Sequence, residues 1–160
     1  MKQLQILHDR LAQVGAALLV PTIRDYIAGK ITPRPQPAEG ATHARKITKE
    51  DGSLDWTKPA HGLWNQIRAF TPWPGAFTHL PIQPKPRLLK IWQSEVAEAS
   101  GEPGVLLQAD ASGIVTACGK DALRILNLQL EGGRRLTTRE FLAGHPLSAG
   151  QQFAGGDYLV

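Results

Sequence analysis

A helix that runs into a proline corner constrains this chain more than any other stretch: Ile67 to Ala76 reads Ile-Arg-Ala-Phe-Thr-Pro-Trp-Pro-Gly-Ala. Upstream, Ala60, Leu63, Trp64, Ile67 and Phe70 fall on one helical face, which predicts an amphipathic helix from Pro59 to Phe70. Proline is tolerated in the first turn of such a helix. Pro72 and Pro74 then stop it, because each removes a backbone donor and restricts the residue before it. The order is helix, rigid corner, next element.

Beyond the corner the pattern turns to strands. Ala76 to Leu80, Leu88 to Val96, Val105 to Ala109, Ile114 to Ala117 and Ala122 to Leu130 are short apolar runs. Turn segments such as Ser100-Gly-Glu-Pro-Gly104 and Asp110-Ala-Ser-Gly113 separate them. The apolar phase slips between Ile125 and Leu126, which predicts a bulge or a corner-turning strand. Thr137 to Ala143 reads as a short helix, with Thr137 as N-cap and Glu140 completing a capping box. Short strands plus one helix fit a small Greek-key barrel of the oligonucleotide-binding type. An open sheet covered by the helix fits nearly as well.

Before the corner, Leu4, Leu7, Leu11, Val14 and Leu18 recur at steps of three and four, the mark of one apolar helix face. Pro21 is expected to interrupt that helix, leaving a second piece from Ile23 to Ala28 ended by Gly29. The stripe has no evident partner nearby. Ile31 to Ala41, with Pro33, Pro35 and Pro37 alternating, reads as a semi-rigid spacer. Thr42 to Ile47 reads as a short extended segment and Glu50-Asp-Gly-Ser53 as a turn.

At 160 residues the chain holds one domain, or one small domain plus an appendage. No apolar run approaches the roughly 20 residues needed to cross a bilayer, so no membrane role and a cytoplasmic setting are expected. A lone cysteine, Cys118, excludes an internal disulfide framework and a multi-cysteine zinc site. The net charge of +4 is uneven: six cations (Arg24, Lys30, Arg34, Arg45, Lys46, Lys49) face two acids (Asp25, Glu39) in one segment. A solvated linker and a phosphate-tracking strip both fit that run.

Catalytic sets are hard to find. His8, His43, His61, His79 and His145 show no metal-ligand spacing with one another or with Cys118, and Cys118 reads as a small buried apolar residue. Glu50, Asp51 and Asp55 cluster in a turn between Lys49 and Lys58, where no burial raises a pKa for acid–base work. Asp55 reads better as a cap or turn acceptor. Gly132-Gly133 and Gly155-Gly156 are too short for a phosphate-binding loop. Trp64 and Trp73 are expected to pack in the core, while core packing and base stacking both stay open for Trp56 and Trp92. Two basic groups stand out as phosphate contacts: Arg45, Lys46 and Lys49 beside the spacer, and Arg134 and Arg135 in a loop off the last long strand. Lys90 and Arg124 interrupt strand patterns and are expected on the outer wall.

The wording of the corner resembles the start of the C-terminal domain of methionyl-tRNA formyltransferases. Leu7-His-Asp-Arg-Leu-Ala12 and Gly15-Ala-Ala-Leu-Leu19 are similar to that family's last catalytic-domain helix. Pro35-Gln36, Ala44-Arg-Lys-Ile-Thr-Lys49 and Leu54-Asp-Trp56 resemble its connecting segment. Leu89-Lys-Ile-Trp92, Leu126-Asn-Leu-Gln129, Glu140-Phe-Leu-Ala-Gly144 and Gly156-Asp-Tyr-Leu-Val160 resemble its barrel and tail. The matches run in order along nearly the whole chain.

The resemblance implies a mainly β fold with helices, a small OB-fold-like Greek-key barrel preceded by an isolated amphipathic helix and a Pro-rich linker. It implies three parts: residues 1–30 as the terminal helix of an N-terminal catalytic domain, 31–41 as linker and 42–160 as the barrel domain. The catalytic half, with an Asn-His-Asp site and a folate pocket, is expected before Met1 and against Leu4, Leu7, Leu11, Val14 and Leu18. This chain is then expected to hold no cofactor and no activity of its own. The complete enzyme would use 10-formyltetrahydrofolate to formylate initiator methionyl-tRNA, held by Arg45, Lys46, Lys49, Arg134 and Arg135. A related formyltransferase acting on a sugar nucleotide or on formyl-folate shares the architecture but needs no basic track. A free-standing RNA-binding module is the other rival, and an unburied Leu4 to Leu18 face counts against it.

Overall fold

The computed structural model describes residues 4–82 and 85–154 and divides into two units, Met1–Ile47 and Thr48–Val160. The similarity at Gly156–Val160, the pair Gly155-Gly156 and the side chain of Leu4 lie outside the described residues.

The first unit carries one long helix, α1 (Leu4–Ile27). Pro21 lies inside it, so the expected break there does not occur. Proline removes its own bond to the preceding turn and crowds the carbonyl there, yet the turns on either side remain helical. Gly29, at φ +72°, ends the element. The Lys30 amide donates to the Asp25 carbonyl at 2.9 Å and the Gly29 amide to Tyr26 at 3.1 Å, the paired bonds of a glycine-terminated Schellman motif. Leu7, Leu11, Val14 and Leu18 all stand exposed. Residues 31–47 form neither helix nor strand, and Thr42–Ile47 pairs with nothing in a sheet.

The second unit begins with a 3-10 turn, Glu50–Gly52, and then α2 (Ala60–Ala69). Among the described residues six strands follow: β1 (Ala76–Leu80), β2 (Arg87–Ala97), β3 (Leu106–Asp110), β4 (Gly113–Ala117), β5 (Ala122–Leu130) and β6 (Leu136–Thr137). The last helix among the described residues is α3 (Thr138–Gly144). All strand pairs are antiparallel, in the order β1-β2-β5-β4-β3, with β6 added to β5. Placing β2 beside β5, after the β3-β4-β5 meander, is a Greek key.

The open edges of β1 and β3 are joined by the chain just after α3. Gln152 bridges Val105 and Ala154 bridges His79. The Leu106 amide donates to the Gln151 carbonyl at 2.7 Å and the Ala154 amide to His79 at 3.0 Å. The sheet therefore closes into a small barrel.

Leu89, Ile91, Ile114, Leu123, Ile125, Leu128 and Phe153 fill its interior. Leu63 and Ile67 of α2 join this core against β2 and β5. Burying each such side chain contributes about 1.5–3 kcal/mol, and a charge at Ile67 would break that contact. The phase slip at Ile125/Leu126 is a real irregularity: Ile91 pairs Leu128 and Ser94 pairs Ile125, with register shifts on either side of Gln93. The capping box also forms. The Glu140 amide donates to the Thr137 hydroxyl at 3.3 Å, and the Thr137 amide donates back to the Glu140 carboxylate at 2.8 Å.

Candidate functional site

The loop from β5 to β6 is held at both ends. The Glu131 amide donates to the Leu88 carbonyl at 2.9 Å, Gly133 to Leu130 at 2.9 Å, and Arg87 Nη2 to the Glu131 carbonyl at 2.7 Å. Gly132, at φ +76°, makes the reversal. On the far side, Leu136 and Thr137 pair with Leu128 and Asn127. Arg134 and Arg135 project from between these two anchors, and both are exposed.

Trp92 organises what they meet. Alternation along β2 places Lys90 and Trp92 on the outer wall, with Leu89 and Ile91 inside. The Arg135 guanidinium lies 4.0 Å from the Trp92 ring centroid, and Lys90 Nζ lies 5.7 Å from it. The indole N–H donates to Gln129 Oε1 at 3.0 Å, while Gln129 Nε2 donates to the Gly133 carbonyl at 2.7 Å. One glutamine thus ties the ring to the arginine loop. Arg134 makes a long, exposed ion pair with Glu140 at 3.7 Å, an interaction that holds little energy in water.

Lys90 also runs over the corner, since a Cβ on Gly75 would lie 3.6 Å from its Cδ and 3.7 Å from its Nζ. Against the other side of that corner packs the turn that follows Lys49, where a Cβ on Gly52 would collide with the Gly75 carbonyl oxygen. Lys49 itself stands at the N-cap position of the turn. Arg45 and Lys46 belong to the first unit and are exposed, with Arg45 Nη1 donating to the Lys46 carbonyl at 3.1 Å. Of the predicted contacts, the structure joins Arg135 to Lys90 through Trp92.

Other readings change. Trp73 is 54% exposed, so the corner does not bury it as expected: the flanking prolines turn the chain at the surface. Trp56 is buried, stacks on Phe153 at 5.6 Å and donates to the Thr78 hydroxyl at 3.1 Å. Trp64 packs against the core, bonds the Ser94 carbonyl at 3.1 Å and carries the Arg68 guanidinium on its ring. Neither offers an open face to a base. Asp55 accepts from the Thr57 amide and hydroxyl, at 3.1 and 2.6 Å, as a turn acceptor. Its carboxyl is held below the usual range, first by that hydroxyl.

Cys118 follows β4, is buried, and has its thiol pushed up to about 11 by desolvation. That is an inert thiol. A cavity of about 340 Å³ lies between Leu80, Leu106, Leu147 and Phe153. His145 also lines it, and its ring stacks on Phe141 at 4.7 Å. Among the described residues no group of three or more His, Cys, Asp and Glu side chains is placed to hold a metal ion.

Sequence reading missed the Trp92–Arg135 pair. Lys90 is expected on the outer wall from sequence, while core packing and base stacking both stay open there for Trp92. Nothing local indicated that an arginine from a distant loop would cover the ring.

Residues 46–146 match the family described as formyl transferase, C-terminal domain. The chain is 48% identical over 147 residues to a methionyl-tRNA formyltransferase of Aromatoleum aromaticum, covering 92% of this chain and 45% of that protein. It is 48% identical over 151 residues to one of Burkholderia multivorans, with the same coverage. It therefore spans less than half the length of these relatives. Among solved structures, a variant of HypX from Aquifex aeolicus superimposes with a TM-score of 0.56 at 16% identity, over 79% of this chain and 23% of that one. HypX from the same organism in complex with tetrahydrofolic acid gives 0.54 at 17% identity, over 85% and 26%. At such identities the likeness is one of fold.

Proposed function

The chain belongs to the formyl transferase C-terminal-domain family, and from that premise we propose that it is the tRNA-holding part of a methionyl-tRNA formyltransferase. The observation that carries this reading is the pair of cations on the barrel wall, Lys90 and Arg135, set against Trp92, with exposed Arg134 next in the same loop. Cations held at fixed spacing suit a phosphate backbone, whose contacts position a nucleic acid without reading its sequence. In this reading Arg45, Lys46 and Lys49 extend the contact along the connecting segment, and the partner is the initiator tRNA.

The chemistry belongs to a companion catalytic half. That half would take the formyl group from 10-formyltetrahydrofolate and pass it to the amino group of methionyl-tRNA. This chain supplies orientation: it holds the tRNA body so that the aminoacyl end reaches the reacting centre, which lowers the entropic part of the barrier. The apolar face of α1 at Leu7, Leu11, Val14 and Leu18, together with Leu4, is where the catalytic half docks. Translation initiation in the cytoplasm is the setting. Among the described residues no helix is long and apolar enough to cross a membrane.

A salt titration of tRNA binding tests the reading. With three to five phosphate contacts, log affinity should fall against log salt with a slope of roughly −3 to −5. Replacing Lys46 and Lys49 together by alanine should flatten it by about one to two units, and Arg134→Ala with Arg135→Ala by as much. No measurable tRNA binding by the parent chain would overturn the proposal. An unchanged slope in the lysine variant would remove the connecting segment from the contact.

A further inference from the structure

The ring of Trp92 is the least explained group on the barrel wall. It is half-buried on an outer face. Its indole N–H is already bonded to Gln129 at 3.0 Å, and the Arg135 guanidinium lies 4.0 Å from its centroid. The face that Arg135 covers is not open to a nucleotide base. Base stacking needs an uncovered face, and Arg135 lies against this one.

We propose that Trp92 is a positioning residue that acts through Arg135, holding its guanidinium as a preformed two-pronged donor for an RNA phosphate. This rests on the tRNA reading above and deepens it. A guanidinium stacked on a ring spends none of its N–H groups on that contact, so the edge of the fork stays free to bond two phosphate oxygens at once. An unrestrained arginine loses several rotatable bonds' worth of freedom when it binds. Trp92 removes much of that loss beforehand, and preorganisation of this kind appears as affinity.

The supports are arranged for rigidity. Gln129 fixes the ring and, through its 2.7 Å bond to the Gly133 carbonyl, fixes the loop as well. Gly133 in turn donates to the Leu130 carbonyl at 2.9 Å. Lys90, 5.7 Å from the same ring, adds a second cation beside the fork. Arg134 makes an exposed 3.7 Å pairing with Glu140, whereas Arg135 lies against a half-buried ring, so Arg135 is the more firmly placed of the two adjacent arginines.

The test is a double-mutant cycle on tRNA affinity, using Trp92→Leu and Arg135→Ala in the 160-residue chain. Trp92→Leu should weaken binding about two- to fivefold in the parent, the scale of a cation–π contact, and should leave the salt slope unchanged because no charge is lost. In the Arg135→Ala background the same substitution should cost nothing. Trp92→Phe, which keeps an aromatic face but loses the indole N–H bond to Gln129, should recover part of the affinity. Arg135→Lys, at an exposed position that cannot disturb the core, should weaken binding with the slope kept, since lysine carries the charge without the fork. Equal cost of Trp92→Leu in both backgrounds would overturn the proposal, as would no loss in Arg135→Lys. A parent chain that binds no tRNA at all overturns the underlying reading and this one with it. A parent that binds while the cycle shows no coupling overturns this one alone.

Discussion

The backbone of Gly119 passes so close to Thr57 that a Cβ at position 119 would collide with the Thr57 carbonyl oxygen. The contact holds the turn between β4 and β5 against the entry to α2. The Gly119 amide donates to the Trp56 and Lys58 carbonyls at 2.9 and 3.1 Å, and the Ala60 amide donates to Lys120 at 2.9 Å. Gly119→Ala must push these strands of chain apart and should cost about 2–4 kcal/mol. Gly62 has open space around it inside α2. Gly62→Ala should therefore stabilise by about 0.5–1 kcal/mol. Urea unfolding of both variants decides the matter: opposite signs are expected, and two small effects of one sign would show that the turn yields easily.

Thr137 and Glu140 make a pH-dependent contribution. The Glu140 carboxyl is held below its usual range, first by the Thr137 backbone N–H and then by the Thr137 hydroxyl. A lowered folded-state value means that this stability is present above the unfolded carboxyl pKa of about 4.3 and is lost as pH falls through the lower folded value. Glu140→Gln keeps an acceptor for the box but cannot titrate. Its urea midpoint should lie slightly below the parent's at neutral pH and fall less steeply in acid, so that the two converge, with Asp110, held down first by Ser112, still contributing slope. Thr137→Ala should cost about 1 kcal/mol at neutral pH. Parallel acid profiles for the parent and Glu140→Gln would remove the carboxylate from the account.

What could be read from the sequence was what local chemistry decides. Thr137 and Glu140 announce their capping box by spacing alone, and β1 and β5 begin and end where their apolar runs do. The bulge near Leu126 followed from a phase slip that a regular strand cannot absorb. Closure could not be read. Residues 151–154 meet β1 and β3 through single bridges rather than a strand, so Gln151-Gln-Phe-Ala154 carries no strand pattern. Pro21 misled because its local cost is real, yet a helix with enough turns on either side survives it. Trp73 misled because a ring between prolines looks confined, while the corner turns it outward. At the candidate site the charges were visible and their arrangement was not, because Arg135 reaches Trp92 only once β2 and β5 have paired.

Closure makes Phe153 a sensitive position. It is 2% exposed, stacks on Trp56 and lies one residue before the Ala154 bridge to His79. Phe153→Ala should cost about 3–5 kcal/mol, the usual range for emptying a buried aromatic site. Amide exchange should accelerate first at Leu106 and Ala154, whose bonds join β3 and β1 to this segment. Trp73→Ala, at a ring that is half exposed, should change the urea midpoint far less. Comparable losses in the two variants would mean that the closing segment contributes little to the barrel.

The apolar face of α1 makes the last prediction. Leu7, Leu11, Val14 and Leu18 are 54, 61, 54 and 58% exposed, so the helix gains little from burial. Helices draw most of their stability from packing an apolar face. Amides in α1 should therefore exchange far faster than those of β5, and free energies of opening should be near zero for the former and close to the global value for the latter. Leu11→Asp with Leu18→Asp should leave the barrel's urea midpoint unchanged while abolishing association with a separately produced catalytic half. Loss of the barrel's stability in that variant would mean that the face is buried within this chain. Retained association would mean that the companion half docks elsewhere.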